Sequence, residues 1–329
     1  MTEPILLTGA TGFIGRHVLR RLRRDPETRV RVLARRPEAL DEDARRGIEI
    51  VVGDVRDPTA LARAVQGTST ILHLAAYAQG WAREPSEFTG TNVEAVRRLL
   101  DLAREYGVRR IVHVSTILAL PPFRRAAVNG RARAPTLYET TKLEGERLVE
   151  AYVAGGGDAV IVQPTRVYGP GPLNDANAVT RALILYLRGR LRVRLADGDA
   201  LANYVHVEDV ATGILLAAEH GRRGAHYILG GEDAAFRQLL DMVSDVAGTR
   251  RWVFPLPVGA ALAVASAAEW WGRLGGKPFI TPHWVRVFLE DRRADIGPAR
   301  ADLGYAPRGL RDGLVDTVGW LRSTGLIRR

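Results

Sequence analysis

Tyr138 and Lys142 are the residues whose types and spacing point most directly to chemistry. They lie four positions apart in a stretch of helical spacing, Leu137 to Val153, so their side chains share one face. A phenol, with an ordinary pKa of about 10, needs a nearby cation to exchange a proton close to neutral pH. The Lys142 ammonium offers one, and the hydroxyl pair Ser115-Thr116 ends an earlier strand. The pattern indicates acid–base chemistry on a substrate oxygen.

A glycine-rich loop follows the first apolar strand and opens the first helix. Its sequence is Thr8-Gly9-Ala10-Thr11-Gly12-Phe13-Ile14-Gly15. Glycines at 9 and 12 let backbone N–H groups approach a pyrophosphate at the positive helix N-terminus, and Gly15 allows close packing of helix on strand. The strand, loop and helix order predicts a dinucleotide site.

The end of the second predicted strand indicates which dinucleotide binds. An acid there would bond the adenosine ribose hydroxyls, but the strand runs into Arg35-Arg36. A guanidinium at this place favours the 2′-phosphate of NADP(H). The alternative interpretation is that both arginines are solvated surface residues, and NAD(H) stays possible. Asp54, after the third strand, is placed to accept from the adenine amino group, and Asp57 before Pro58 is the better helix N-cap.

Alternating apolar runs and amphipathic stretches over the first 165 residues predict an α/β fold. We expect a doubly wound parallel sheet of the Rossmann type with helices on both faces over 1–165, binding NADP(H). A smaller, mostly helical C-terminal substrate-binding region is expected over 166–329. Segments around 203–211 and 225–230 resemble strands that return to the first sheet.

Composition and charge limit the other kinds of site and partner that we expect for this chain. The 329 residues include 46% hydrophobic and 26% charged residues and no cysteine, which excludes disulfides and thiolate chemistry, and we expect no metal site. The net charge of +10 comes from scattered arginines, interpreted as solvated faces, so no nucleic-acid partner is expected. The start, Met1 to Leu7, leaves no room for a signal peptide, and a cytoplasmic protein is expected. The apolar run Val258 to Trp271 contains Glu269 and is short for a transmembrane segment, so a core or lid helix is expected.

Together these motifs resemble the extended short-chain dehydrogenases/reductases, the NAD(P)-dependent epimerase/dehydratase superfamily. Further segments match along nearly the whole chain, including His73-Leu74-Ala75-Ala76, Asn92, the 164–169 and 204–210 segments and Leu303-Gly304-Tyr305-Ala306-Pro307. The resemblance implies that Tyr138 exchanges the proton with the substrate oxygen. It further implies that Thr116 rather than Ser115 bonds that oxygen, and that Lys142 holds the nicotinamide ribose and lowers the tyrosine pKa.

The resemblance also implies a set of binding residues. For the cofactor these are Gly9, Thr11, Gly12, Phe13, Ile14, Gly15, Arg35, Arg36, Asp54, Val55, Leu74, Ala75, Ala76, Tyr138, Lys142, Pro164, Thr165 and Val167. For the substrate they are Tyr77, Ile117, Arg166 and Tyr204. A homodimer through the helices Phe88 to Tyr106 and Leu137 to Val153 is expected by the same analogy.

The residues after Thr116 favour one reaction within this superfamily. A sugar dehydratase places an acid pair there, where this chain has Ile117-Leu118, and epimerases continue into a different segment than Ala119-Leu120-Pro121. Apolar walls are expected from Trp81, from 117–123 and from Val258 to Trp271 with 278–280. We therefore expect an oxidoreductase of a hydrophobic or cyclic carbonyl or alcohol, nearest the dihydroflavonol reductase and 3β-hydroxysteroid dehydrogenase-like branch. An NAD-dependent sugar-nucleotide epimerase and a non-enzymatic NADP(H)-binding sensor or assembly subunit are the alternatives.

Overall fold

A computed structural model describes residues 3–79, 81–82, 84–122, 127–128, 131–132, 135–195, 200–273 and 281–328. The strands are β1 Ile5–Thr8, β2 Val30–Ala34, β3 Glu49–Val52, β4 Thr70–His73, β5 Arg110–Val114, β6 Ala127–Val128, β7 Arg131–Ala132, β8 Ala159–Pro164, β9 Arg166–Tyr168, β10 Val193–Leu195, β11 Leu201–His206, β12 His226–Leu229, β13 Glu232–Ala235 and β14 Phe254–Leu256. The helices are α1 Phe13–Leu22, α2 Glu42–Arg45, α3 Pro58–Val65, α4 Ser86–Thr89, α5 Ala95–Glu105, α6 Leu137–Ala154, α7 Ala178–Leu187, α8 Val207–His220, α9 Phe236–Ala247, α10 Val258–Arg273, α11 Pro282–Phe288, α12 Gly297–Leu303 and α13 Leu310–Ser323.

Seven parallel strands form the central sheet, in the order β12-β8-β5-β4-β1-β2-β3. One apolar cluster packs α1 and α8 on one face of the sheet, and a second packs α3, α5 and α6 on the other. The carboxyl ends of β1 and β4 are adjacent at the point where the strand order reverses, which is where doubly wound sheets bind ligands. The predicted Rossmann architecture is confirmed.

The expectation that 203–211 returns to this sheet is wrong. Residues 201–206 form β11, which pairs with β9 and β13 in a separate three-stranded sheet, while 207–220 form helix α8. The apolar face of α8 is needed to cover the central sheet, and β11 instead buries Tyr204 in a C-terminal core. The second expected return is confirmed, since β12 pairs with β8.

An ion cluster fastens α8 to α1. His17 Nδ1 lies 2.5 Å from Glu208 Oε1, and Arg20 and Arg21 donate to the same carboxylate at 3.1 and 3.0 Å. The His17 hydrogen bond and the arginine charges outweigh burial and lower the pKa of Glu208 to about 2. Helix α8 and strand β12 follow residue 165 in the chain but pack with the first unit. The division into two regions at residue 165 stays a prediction.

The C-terminal region is mostly helical, as predicted. Helices α7, α9 and α13 pack around Tyr168 and Tyr204, and α10 and α11 form a small separate cluster with β10 and β14. Within the described ranges, no helix is long and apolar enough to cross a bilayer.

Candidate active site and cofactor site

The glycine loop closes tightly onto the strand beside it. Gly9 has a φ of +75°, and a Cβ there would lie 2.7 Å from the Leu74 carbonyl carbon. A Cβ at Gly15 would overlap the Gly9 carbonyl oxygen. Gly12 is the N-cap of α1, and in the described part of the chain no side chain caps this turn. The first N–H groups of α1 are therefore not taken up by a side-chain cap, as a pyrophosphate site requires.

Thr8 holds the turn after β4 against this loop. Its Oγ1 accepts from the N–H groups of Leu74 and Ala75, both at 3.2 Å, and lies 2.9 Å from His73 Nδ1. Leu74, Ala75 and Ala76 are half-buried beside the glycine loop. The structure thus brings two predicted cofactor segments together.

The adenosine end differs in detail from the prediction. Asp54 accepts from the Arg56 backbone N–H at 2.9 Å and from its guanidinium at 3.0 Å, and Arg35 lies 3.5 Å away. Burial raises the pKa of Asp54, but these arginines outweigh it and hold that pKa below its ordinary value. Arg56 was missed by the sequence analysis. Asp57 is the N-cap of α3, accepting from Thr59 N–H at 2.9 Å, as predicted.

The arginines predicted to select NADP(H) lie on the surface at the end of β2. Arg35 is 66% exposed, and Arg36 is exposed where the chain leaves the strand. Val55 is buried on the next strand's turn. A third guanidinium, missed from sequence, belongs to Arg16, which donates to the Thr11 and Ala39 carbonyls and so spans the glycine loop and the segment after β2.

Asn92 connects the loop after β4 to the helix of Tyr138. It lies in a π-helical turn, Gly90–Glu94, between α4 and α5 and is buried. Its Oδ1 accepts from Tyr77 N–H at 2.8 Å, and its Nδ2 donates to Thr141 Oγ1 at 3.1 Å. Tyr77, a predicted substrate residue, packs edge-on against Phe88 with ring centroids 4.8 Å apart.

Thr116 and Tyr138 meet at the carboxyl end of β5. Thr116 caps a short 3₁₀ turn, Ile117–Ala119, and hydrogen-bonds Tyr138, which lies in the first turn of α6. A capping box of Thr136 and Glu139 fixes that turn. Burial raises the pKa of Tyr138 to about 12, with the Thr116 bond partly opposing it. In the protein alone the phenol therefore keeps its proton at neutral pH, opposite to the lowered pKa expected with cofactor and Lys142.

Lys142 lies beneath this pair, buried, and donates to the Val114 carbonyl at 2.8 Å. Burial lowers its pKa to about 8, against the opposing charge of Glu146. The imidazoles of His73 and His113 stack nearby with centroids 5.5 Å apart. Burial and the Lys142 charge lower both histidine pKa values, that of His73 to about 3, so both are neutral at neutral pH. Sequence alone gave no sign of this pair.

The segment after β8 lines the other side. Pro164 ends the strand, and Thr165 donates to Asn203 Oδ1 at 2.9 Å, which joins the two sheets. Val167 is buried. Arg166 lies over the Tyr204 ring at 5.8 Å and over the Phe288 ring at 5.0 Å. Tyr204 is only 2% exposed, so it supports Arg166 instead of facing open space.

A cavity of about 390 Å³ lies against the turn that follows Thr116. Its apolar lining comes from Ile117, Leu120, Pro121, Pro122 and Ile228, and its polar lining from Arg292, Arg293 and Asp295. The predicted wall residues Phe123 and 278–280 lie outside the described residues.

Arg292 is the main residue that the sequence analysis missed. It is 5% exposed and donates to the carbonyls of Ile117 and Leu120 at 3.3 and 3.0 Å. It also donates to Glu290 at 2.8 Å and to Glu139 at 3.4 Å. These bonds connect the turn after Thr116 to the first turn of α6. The sequence pair Arg292-Arg293 does not predict this role, and neither does its distance along the chain from Thr116 and Tyr138.

The family follows from the sequence comparison together with this geometry. A model of the NAD dependent epimerase/dehydratase family matches residues 5–230. This chain belongs to that family. Its relatives include reductases and dehydrogenases, among them dihydroflavonol reductase-like and 3β-hydroxysteroid dehydrogenase-like proteins. It is an NAD(P)-dependent oxidoreductase of the extended short-chain type.

Two curated relatives span almost the full chain. Sterol demethylase protein B of Methylococcus capsulatus is 29% identical, covering 98% of this chain and 99% of the relative. The 4-hydroxy-2-methyl-3-oxo-4-farnesyl-3,4-dihydroquinoline-1-oxide ketoreductase of Stigmatella aurantiaca is 30% identical over 92% of this chain and 91% of its own.

Solved structures share the fold. The crystal structure of gox2253 superposes with a TM-score of 0.80 at 30% identity, covering 99% of this chain and all of the other. UDP-glucuronic acid 4-epimerase from Bacillus cereus in complex with NAD has a TM-score of 0.76, covering 98% and 99% of the two chains. At 21% identity the second match shows the fold alone.

Proposed function

We propose that this family member transfers a hydride between NADP(H) and a carbonyl or secondary alcohol of a hydrophobic or cyclic small molecule. The observation that carries the proposal is the Thr116–Tyr138 pair, together with a mainly apolar cavity lined by Ile117, the residue directly after Thr116. Such a cavity suits a substrate with little charge.

The chain's own groups account for the proton and for orientation. The nicotinamide, when bound, supplies or accepts the hydride at C4. Tyr138 keeps its proton at neutral pH and can donate it to a carbonyl oxygen as that oxygen gains charge, while the Thr116 hydroxyl donates a hydrogen bond to the same oxygen. Lys142, anchored at Val114, is assigned to the nicotinamide ribose.

The arginines of the cavity bear on the choice between a carbonyl compound and a sugar nucleotide. Arg292 already donates to two carboxylates and two carbonyls, and Arg293 donates to Asp291 at 3.3 and 3.2 Å. A diphosphate entering here would have to displace these partners, at the cost of leaving buried carboxylates unpaired. This disfavours the epimerase alternative, which the family description keeps in view.

The names of the two curated relatives agree with a hydrophobic carbonyl substrate. One is named for a sterol and the other for the ketoreduction of a farnesyl-bearing ring.

The preference for NADP(H) is part of the proposal. It is supported by the arginine pair at the end of β2, where an acid would exclude the 2′-phosphate. The solved epimerase relative is bound to NAD, so this preference needs a direct test.

The test adds candidate substrates to the purified protein with NADPH and follows nicotinamide absorbance. Hydrophobic ketones, flavanonols and 3-ketosteroids are compared with UDP-sugars. We expect ketone-dependent oxidation of NADPH. Tightly held NAD(H) with conversion of a UDP-sugar and no net oxidation would replace this proposal with epimerisation.

A further inference from the structure

Between Val258 and Gly272, helix α10 has an exposed face that carries no charged side chain. Its inner side packs Ala261 and Ala265 against Leu195, Leu256 and Val285. Between Val258 and Gly272, the exposed positions are small or apolar apart from Ser266, and the larger ones are Val264, Trp270 and Trp271, at 51%, 64% and 56% exposed. The outer face of a surface helix normally carries charged side chains. Among the described residues nothing covers this face, which is about 24 Å long for the sixteen residues of α10.

The apolar surface continues onto the two-stranded ribbon of β10 and β14. Val193 pairs with Phe254, and the next pair on the same ribbon face is Leu195 with Leu256, which packs against α10. Phe254 is 63% exposed and Val193 45%, and Trp252, just before the strand, is 83% exposed. Aromatic side chains therefore stand near both ends of the helix.

Arginines border this surface. Six arginines lie in the segments 188–195 and 250–251. The following segment, 252–272, contains one carboxylate, Glu269, and no arginine. Arg192 NH2 and Arg251 Nε lie 3.9 and 3.7 Å from the position a Cβ on Gly189 would take. The Arg192 carbonyl accepts from Phe254 N–H at 2.9 Å, so the segment with Arg190, Arg192 and Arg194 runs beside the strand of Phe254.

We propose that the α10 face, with Trp252 and Phe254, docks this protein on an anionic phospholipid bilayer. Tryptophan favours the headgroup level of a bilayer, and arginines beside an apolar helix face bind anionic headgroups. In this mode of binding α10 lies along the bilayer surface, with its apolar face at the boundary of headgroups and acyl chains. This binding is independent of the reaction proposed above.

Charge argues against a second copy as the occupant of this surface. A two-fold dimer would place the same surface on both sides of the interface, and so bring the two arginine clusters close together. An anionic bilayer instead complements them.

The docking surface adjoins the candidate active site. Helix α11 packs on α10, and its last residue, Phe288, covers the Arg166 guanidinium at 5.0 Å.

The test measures co-sedimentation of the full chain with vesicles of phosphatidylcholine alone and of phosphatidylcholine mixed with phosphatidylglycerol. We expect binding to the anionic vesicles that weakens as salt is added. Val264→Glu should lower this binding roughly tenfold by placing a charge on the docking face. Val315→Glu is the matched control, since Val315 on α13 is also 51% exposed, and it should bind like the unmodified chain.

A second pair of variants tests the charge. Arg190→Gln with Arg250→Gln should lower binding to anionic vesicles roughly twenty-five-fold, because each arginine near such a surface contributes about fivefold. Arg24→Gln with Arg109→Gln, which removes the same charge elsewhere, should not. The proposal is overturned by absence of binding at low salt, or by equal losses in a variant and its control. Conversion of an oligomer to a monomer by Val264→Glu, with vesicle binding unchanged, would overturn it by assigning the face to a second copy.

Discussion

At the residue scale, burial shifts the two central pKa values in opposite directions. It raises that of Tyr138 to about 12 and lowers that of Lys142 to about 8, because a site with little water disfavours the charged form of each group. Types and spacing predicted both residues and Thr116. They did not predict the shifts, which depend on how α6 packs against β5, on the Thr116 hydrogen bond and on the charge of Glu146.

Arg35 and Arg36 are the residues proposed to select the cofactor. Replacing Arg35 and Arg36 together with glutamine should weaken NADPH binding roughly tenfold or more, because a charge-assisted hydrogen bond to the 2′-phosphate is lost. NADH binding should change far less. Fluorescence titration with both nucleotides measures the difference.

Arg45→Gln with Arg46→Gln is the control for that pair. These arginines are exposed on the segment that follows and have the same charge. Equal weakening of NADPH and NADH binding in the Arg35 and Arg36 variant would refute the NADP(H) assignment.

At the element scale, the site depends on two segments that are distant in sequence. The turn after β5 carries Thr116, and the first turn of α6 carries Tyr138. Arg292, more than 150 positions later, donates to the Ile117 carbonyl and to Glu139, one residue from each. A buried arginine with several partners holds the two segments in a fixed relative position. Sequence spacing does not predict this contact, because the tertiary fold brings Arg292 to the site.

Arg292 is therefore a positioning residue. Arg292→Lys keeps the charge that Glu290 and Glu139 require but cannot bridge both segments, so kcat should fall roughly tenfold to a hundredfold. The dissociation constant for NADPH should stay close to that of the unmodified enzyme. Steady-state kinetics with a ketone substrate and nucleotide titration give the two readouts.

Arg300→Lys provides the comparison, because Arg300 is exposed on α12 and is not among the residues that line the cavity. Its kcat should be unchanged. A normal kcat in Arg292→Lys, or a loss of NADPH binding in proportion to the loss of rate, would show that Arg292 does not position the pair.

At the scale of the whole molecule, the alternation of strands and helices predicted the sheet and its glycine loop. It misplaced β11, because an apolar run identifies a strand but not its partner, and the partner was β9. The arginines were interpreted as scattered. In the fold, Arg192 and Arg251 come together beside Gly189, next to the strand of Phe254 that precedes α10. The homodimer through α4, α5 and α6 stays a prediction.

The central claim is that Tyr138 moves the proton during hydride transfer, and turnover of Tyr138→Phe tests it most directly. With a ketone substrate and NADPH, kcat should fall by roughly a hundredfold or more while NADPH affinity stays nearly intact, since only the hydroxyl is removed. Tyr152→Phe, on the same helix and buried, should turn over normally. Wild-type turnover in Tyr138→Phe would contradict the account.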